Sequence, residues 1–155
     1  MPPKSIASRR RGKAAVPSLQ SLLSQASRRI TTDLRRVVGA AGLPVEFWRV
    51  LEVLADERGH TMSELAEQAG MQMPATSKLV DRMTEAALVQ RSADPDDQRR
   101  VILHISDFGL LKFQALGAGV ELHRSRLETS FGARREEQLR ALLREFIQAH
   151  RQAAE

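Results

Sequence analysis

Residues 62–82 read MSELAEQAGMQMPATSKLVDR, two short helices with a glycine between them. A helix-turn-helix needs a small residue where its first helix meets the second, a turn residue, usually glycine, four positions later, and apolar contacts from both helices. Ala66 is the small residue and Gly70 the turn, while Leu65, Met71, Leu79 and Met83 point to a shared core. Two short helices in an ordinary bundle share this spacing, so the flanking sequence decides between the readings.

On the N-terminal side, Thr61-Met62-Ser63-Glu64 has the form of a capping box, with the Thr61 hydroxyl on a free backbone N–H and the Glu64 carboxylate reaching back. It predicts a short helix over 62–69. A following helix covers roughly 74–87, with Pro74 in its first turn, where the missing N–H is no loss. On the C-terminal side the period changes. Leu88 to Ser92 and Arg100 to Ile105 are strand-like, and Val101, Leu103 and Ile105 alternate with Ile102, His104 and Ser106. Between them DPDDQRR, residues 94–100, is a polar turn. The pair forms a β-hairpin with a charged tip, and a hairpin directly after a helix-turn-helix is a wing.

Further out, the pattern is helical again. Leu19, Leu22, Leu23, Ala26, Ile30, Leu34, Val37 and Val38 recur at three- and four-residue steps and predict a long first helix that ends at Gly39 and Gly42. A second helix follows Pro44, carries Phe47, Trp48, Leu51 and Leu54, and stops near Gly59. Ser106 caps a fifth helix over 107–131, ended by Gly132, and a sixth covers about 134–150. The order is α-α-α-α-β-β-α-α: a mainly α chain with a small β-hairpin wing. Residues 1–16 read as a disordered basic arm and 17–150 as a single domain. Within that domain, 43–106 is the winged helix-turn-helix, and 17–42 with 107–150 form a helical region for dimerisation.

The 155 residues suit one domain, and the absence of cysteine excludes disulfides, cysteine-ligated zinc and thiol redox sensing. No apolar run approaches the ~20 residues of a membrane span. The N-terminal charges have no apolar segment behind them, which argues against a secretory signal. We read the chain as soluble and cytoplasmic, with no membrane partner. The net charge of +5 sits in the arm, where Lys4, Arg9, Arg10, Arg11 and Lys13 face no acid, leaving 19 basic against 19 acidic residues elsewhere. Such an arm either holds DNA phosphates without sequence preference or only aids solubility.

His60, His104, His123 and His150 show no metal-ligand spacing, so neither a metal nor a cofactor is expected. There is no glycine-rich phosphate loop. Asp107-Phe108-Gly109 matches a kinase tripeptide without the rest of that signature. No catalytic residue is assigned, and the chain reads as a binding protein for double-stranded DNA, not an enzyme. Ala75, Thr76, Ser77 and Lys78 lie in the first turns of the second helix of the motif with Gln72 just before, where short side chains approach base edges and the helix N-terminus favours phosphate, and Arg82, one turn beyond Lys78, can contact phosphate or guanine with it. Arg99 and Arg100 at the wing tip can enter a minor groove. A solvated polar face and an ordinary surface turn are the bland alternatives. A nucleoid or adaptor protein binding DNA without sequence preference is the competing function.

Over about residues 43–109 the chain resembles the MarR family of bacterial regulators. The resemblance rests on GLPVEFWRVLEVL, TMSELAEQAGMQMPATSKLVDRMTEAALVQR and DPDDQRRVILHISDFG. Leu51, Leu54, Glu64, Leu65, Ala66, Leu79, Val80, Asp81, Arg82, Asp97, Arg99 and Gly109 occupy family positions, whereas Ala87 stands where glycine is usual, Gln98 where arginine is common, and Lys78 where arginine is frequent. The resemblance implies a homodimer on a pseudo-palindromic site, acting as a repressor that a small aromatic acid or phenol releases. The ligand would lie among the first, second and fifth helices. Trp48 would stack on its ring, Arg28 or Arg29 would hold a carboxylate, and His104 or His123 would add a hydrogen bond or a pH response.

Overall fold

The computed structural model describes residues 16–152, with backbone only at 151 and 152. The basic residues of the arm, Lys4 to Lys13, lie outside the described residues. The first helix, α1 (Leu19–Gly39), starts at Ser18, whose side chain accepts from the Ser21 N–H. Gly42, at φ +74°, turns the chain into α2 (Val45–Leu54). That helix stops earlier than the sequence suggests. Glu57 and Gly59 both take positive φ, and Asp56 accepts the Arg58 backbone N–H at 3.0 Å, so a tight turn replaces the last helical turn.

A short strand absent from the sequence reading follows, β1 (His60–Thr61). Two residues carry no legible alternation. The strand exists because His60 and Thr61 pair antiparallel with Leu103 and Ile102. Next come α3 (Met62–Gln68) and α4 (Met73–Glu85). The capping box is complete, with the Glu64 N–H donating to Thr61 Oγ1 and the Thr61 N–H to Glu64 Oε2. Gly70, at φ +63°, makes the turn, and the Met71 N–H closes on the Ala66 carbonyl at 2.8 Å.

The α4 helix ends at Glu85, short of the expected 87, because Ala87 leaves helical space at φ +58°. Its N–H bonds to the Thr84 carbonyl, and that of Leu88 to Met83. This is the glycine-type helix stop, built here with alanine. β2 (Val89–Ala93) and β3 (Val101–Ile105) then form the wing, in register from Val89 opposite Ile105 to Ala93 opposite Val101. The sheet order is β1-β3-β2. Finally α5 (Asp107–Phe131) and α6 (Ala133–Gln152) run on, separated by Gly132.

The core of the winged region gathers Phe47, Val50, Leu51 and Leu54 of α2 with Leu65 of α3. Leu79, Val80 and Met83 of α4, Leu88 and Val89 at the wing base, and Leu103 of β3 complete it. A second, smaller cluster joins α1, α2 and α5 through Val38, Val45, Trp48 and Leu116. Leu43 and Phe113 touch both clusters and tie them together. The hinge between wing and α5 is fixed by Ser106: its N–H bonds to the Leu88 carbonyl, its hydroxyl donates to the Ala87 carbonyl, and it caps the Gly109 N–H. A side chain at Gly109 would place its Cβ 2.2 Å from the Leu88 carbonyl oxygen, so the close approach requires glycine. Among the described residues, no helix is long and apolar enough to cross a membrane.

Candidate nucleic-acid interface and ligand cavities

The α4 N-terminus carries the polar face expected to meet DNA. Gln72 takes the N-cap position without a side-chain cap, so the first N–H groups of α4 lack a partner from that side chain and remain available to an anion. Gln72, Ala75 and Lys78 are exposed and Ser77 is half-buried. Among the described residues, no ion pair engages the Lys78 ammonium. Arg82 is exposed, but its guanidinium lies 5.3 Å from the centre of the Phe47 ring. That cation–π contact anchors the arginine to α2 while leaving its edge free.

Thr76 is a correction. It is 0% exposed, and its hydroxyl donates to the Gln72 carbonyl at 3.0 Å. Helical spacing places it on the inward stripe with Leu79, Val80 and Met83. It therefore does not belong to the exposed face.

At the wing tip the two arginines differ. Arg100 reaches Asp94 at 3.8 Å, while Arg99 has no acidic side chain within ion-pair distance among the described residues. The turn holds its own shape: Asp94 accepts from the Asp96 N–H and Asp97 from the Arg99 N–H. These acids are occupied by local backbone, and Arg99 is presented to solvent. Arg91 of β2 pairs with Asp81 of α4, bracing the wing against the helix beside it.

On the flank away from α4, His60 is buried. Its Nε2 lies 3.0 Å from both oxygens of Asp56, and Gln68 approaches its Nδ1 at 3.4 Å. The end of α2, β1 and α3 are thereby tied in one cluster. The Arg58 backbone N–H, and then the His60 ring, hold the Asp56 carboxyl below the usual carboxylate range.

The five residues singled out for a ligand do not converge. Trp48 is core, 2% exposed, stacked on Phe113 with ring centroids 4.5 Å apart. A ligand ring has no room to replace that partner. His104 lies on β3, bonds to the Ser92 hydroxyl at 3.0 Å, and borders a pocket of its own with Glu57 and with Asp107 and Leu110 of α5. Arg29 borders a groove between α1, α5 and α6, and Arg28 lies on an open shoulder of α1. His123 lines a separate cleft between α1 and α5.

A different cavity, of about 290 Å³, sits where the two halves of the molecule join. Leu43, Pro44 and Phe47 form one wall, Ala86 and Leu88 the next, and Phe108, Lys112 and Leu116 of α5 the third. It is mostly apolar, with one cation: the Lys112 ammonium lies 5.4 Å from the centre of the Phe108 ring. Sequence reasoning missed Phe108 and Lys112. Their one signal is the four-residue spacing on the first turns of α5, and their cavity partners are distant along the chain.

Comparison with known proteins agrees with this architecture. The MarR family pattern matches residues 41–100. A MarR family transcriptional regulator of Silicibacter pomeroyi, SPO1453, is 30% identical, with a TM-score of 0.71 over 83% of this chain and 94% of that one. The homoprotocatechuate degradative operon repressor of Escherichia coli is 28% identical over 84% of this chain and 88% of its own length. The structure of NadR in complex with 4-hydroxyphenylacetate is 27% identical, with a TM-score of 0.76 over 94% of this chain and 97% of that one. With a helix-turn-helix and wing inside the matched segment, and flanking helices that superpose on a family member's, the chain belongs to the MarR family of transcriptional regulators.

Proposed function

We propose that the chain is a homodimeric, sequence-specific repressor that binds a pseudo-palindromic operator and is released by a small aromatic acid or phenol. The observation that carries the DNA reading is the α4 face. Its N-terminus has no side-chain cap, and Gln72, Ala75 and Lys78 stand exposed beside it with Arg82 held over Phe47. A recognition helix needs such a face: free N–H groups and cations for phosphate, and short side chains next to base edges. Ser77 at the edge of that face and Arg99 with Arg100 on the wing complete the proposed contacts. The units follow the same division, with 43–106 contacting DNA and 17–42 with 107–150 joining the two copies.

The effector reading rests on the cavity that holds Lys112. An aromatic ring fits its apolar walls, and a carboxylate fits the ammonium. NadR was crystallised with 4-hydroxyphenylacetate, a ligand of that chemistry. A molecule wedged between the end of α4 and the start of α5 would shift the winged unit against the helical frame. That couples ligand binding to operator geometry.

Selection of bound duplexes from a fragmented-genome pool near physiological salt tests the proposal. A two-fold symmetric site with half-sites about one helical turn apart is expected. Arg99→Ala should then bind that site about tenfold more weakly with the dimer intact, as expected when one specific arginine contact is lost. Binding with no preferred sequence, lost steeply as salt rises, would replace the reading with a non-specific DNA binder.

A further inference from the structure

The α4 helix opens on Met73, Pro74 and Ala75, a leading turn of apolar side chains that are all exposed. Among the described residues of the winged region, 43–106, two large apolar side chains stay open to solvent. They are Met73, 45% exposed, and Val101, 52% exposed. Val101 follows Arg100 on the wing, and Met73 begins the helix that carries Lys78 and Arg82. Helical spacing sets Met73 in a row with Ser77, and Pro74 and Ala75 in a row with Lys78.

This leading turn has little with which to form a hydrogen bond. Met73, Pro74 and Ala75 carry no side-chain N–H or O–H. The Thr76 hydroxyl is buried and donates to the Gln72 carbonyl, and the first turn holds no acid. Gln72 before the turn and Ser77 after it are the nearest polar side chains not turned inward. A base edge that packs on such a surface must itself be apolar. In the major groove thymine offers one, its C5-methyl, whereas the other edges present donors and acceptors that an apolar turn would desolvate without replacing their partners. Charge names duplex DNA as the occupant and not the apolar face of a protein. The uncapped N–H groups of α4 and the exposed Lys78 ammonium adjoin the turn and match phosphate.

We infer that Met73 is a specificity-determining residue, which selects thymine at one position of each operator half-site by packing its side chain on the C5-methyl. This rests on the reading of α4 as the recognition helix of a sequence-specific binder. The unbranched thioether chain is long and adaptable, and the short Pro74 and Ala75 beside it let the turn approach the groove.

The test uses the full chain and the duplex recovered by selection, with uracil replacing one thymine at a time. That exchange removes the C5-methyl and no hydrogen-bonding group. At a thymine under Met73, wild-type binding should fall about fourfold, the worth of one methyl withdrawn from water. Met73→Ser should bind the thymine and uracil duplexes alike at that position. Lys78→Gln should bind both more weakly and keep the difference between them. Met73 is exposed, so Met73→Ser should keep the wild-type melting curve. Recovery of no preferred duplex would overturn the sequence-specific reading, and the role of Met73 with it. A preferred duplex that binds equally well with uracil at every position would overturn the role of Met73 alone, as would a thymine preference that survives Met73→Ser.

Discussion

Apolar side chains close on one another in the winged region, and in the helical frame many of them do not. Val50, Leu51, Leu65, Val80, Met83 and Leu103 are all 0% exposed. Along α1, α5 and α6, by contrast, Leu19, Leu22, Ile30, Leu111, Leu122, Leu142 and Ile147 stand open, with Leu142 at 62% and Ile147 at 58%. The winged region is a small unit whose strands and helices already cover its core. The frame is a layer of long helices whose apolar faces are left uncovered by the described residues. Patches of this extent mark an interaction surface, and the proposed homodimer supplies the cover.

The contrast predicts opposite outcomes for substitutions of similar chemistry. The largest effect belongs to Leu51→Ala, which empties the winged core and should cost about 2–5 kcal/mol in a denaturant titration. A cost below 1 kcal/mol would mean that this core is looser than its burial implies. Leu142→Glu comes next. At an exposed site it should leave the helical circular dichroism of the chain intact while sedimentation shows the dimer dissociating. A dimer unmoved by Leu142→Glu would place the interface elsewhere. Ala87→Gly should raise stability by about 1 kcal/mol, because φ +58° is strained for alanine and open to glycine. A loss of stability there would show that the turn does not hold alanine in the left-handed region.

The smallest effect concerns the capping box. The Thr61 backbone N–H, and then its hydroxyl, hold the Glu64 carboxyl below the usual carboxylate range. A carboxyl depressed on folding stabilises the chain above its ordinary pKa, and that contribution is lost as pH falls through the depressed value. Glu64→Gln should therefore be slightly less stable than wild type at neutral pH. The gap should close on acidification below pH of about 4. A gap independent of pH would mean that the charge plays no part.

Much of this architecture is legible in the chain because its signals are local. The capping box at Thr61, the turn at Gly70, the Ser106 cap and the alternation of β3 each depend on a few adjacent residues. Features that depend on distant pairing are not legible in that way. Strand β1 exists through Leu103 and Ile102, and the Lys112 cavity is assembled from three separate turns. Thr76 is an instructive case: its polar side chain suggested exposure, yet its spacing from Leu79, Val80 and Met83 already marks it as inward-facing. Ligand residues carried the weakest signal, since Trp48, Arg28, Arg29, His104 and His123 were chosen by chemistry and the fold sets them in five separate places.

In the proposed homodimer a second copy of the chain closes the open faces of the frame, so that two winged units act together. Sedimentation equilibrium of the full chain at micromolar concentration, free of DNA, tests it most directly. A homodimer gives a mass twice that of one chain. A monomer at that concentration, with the frame still helical, would contradict it.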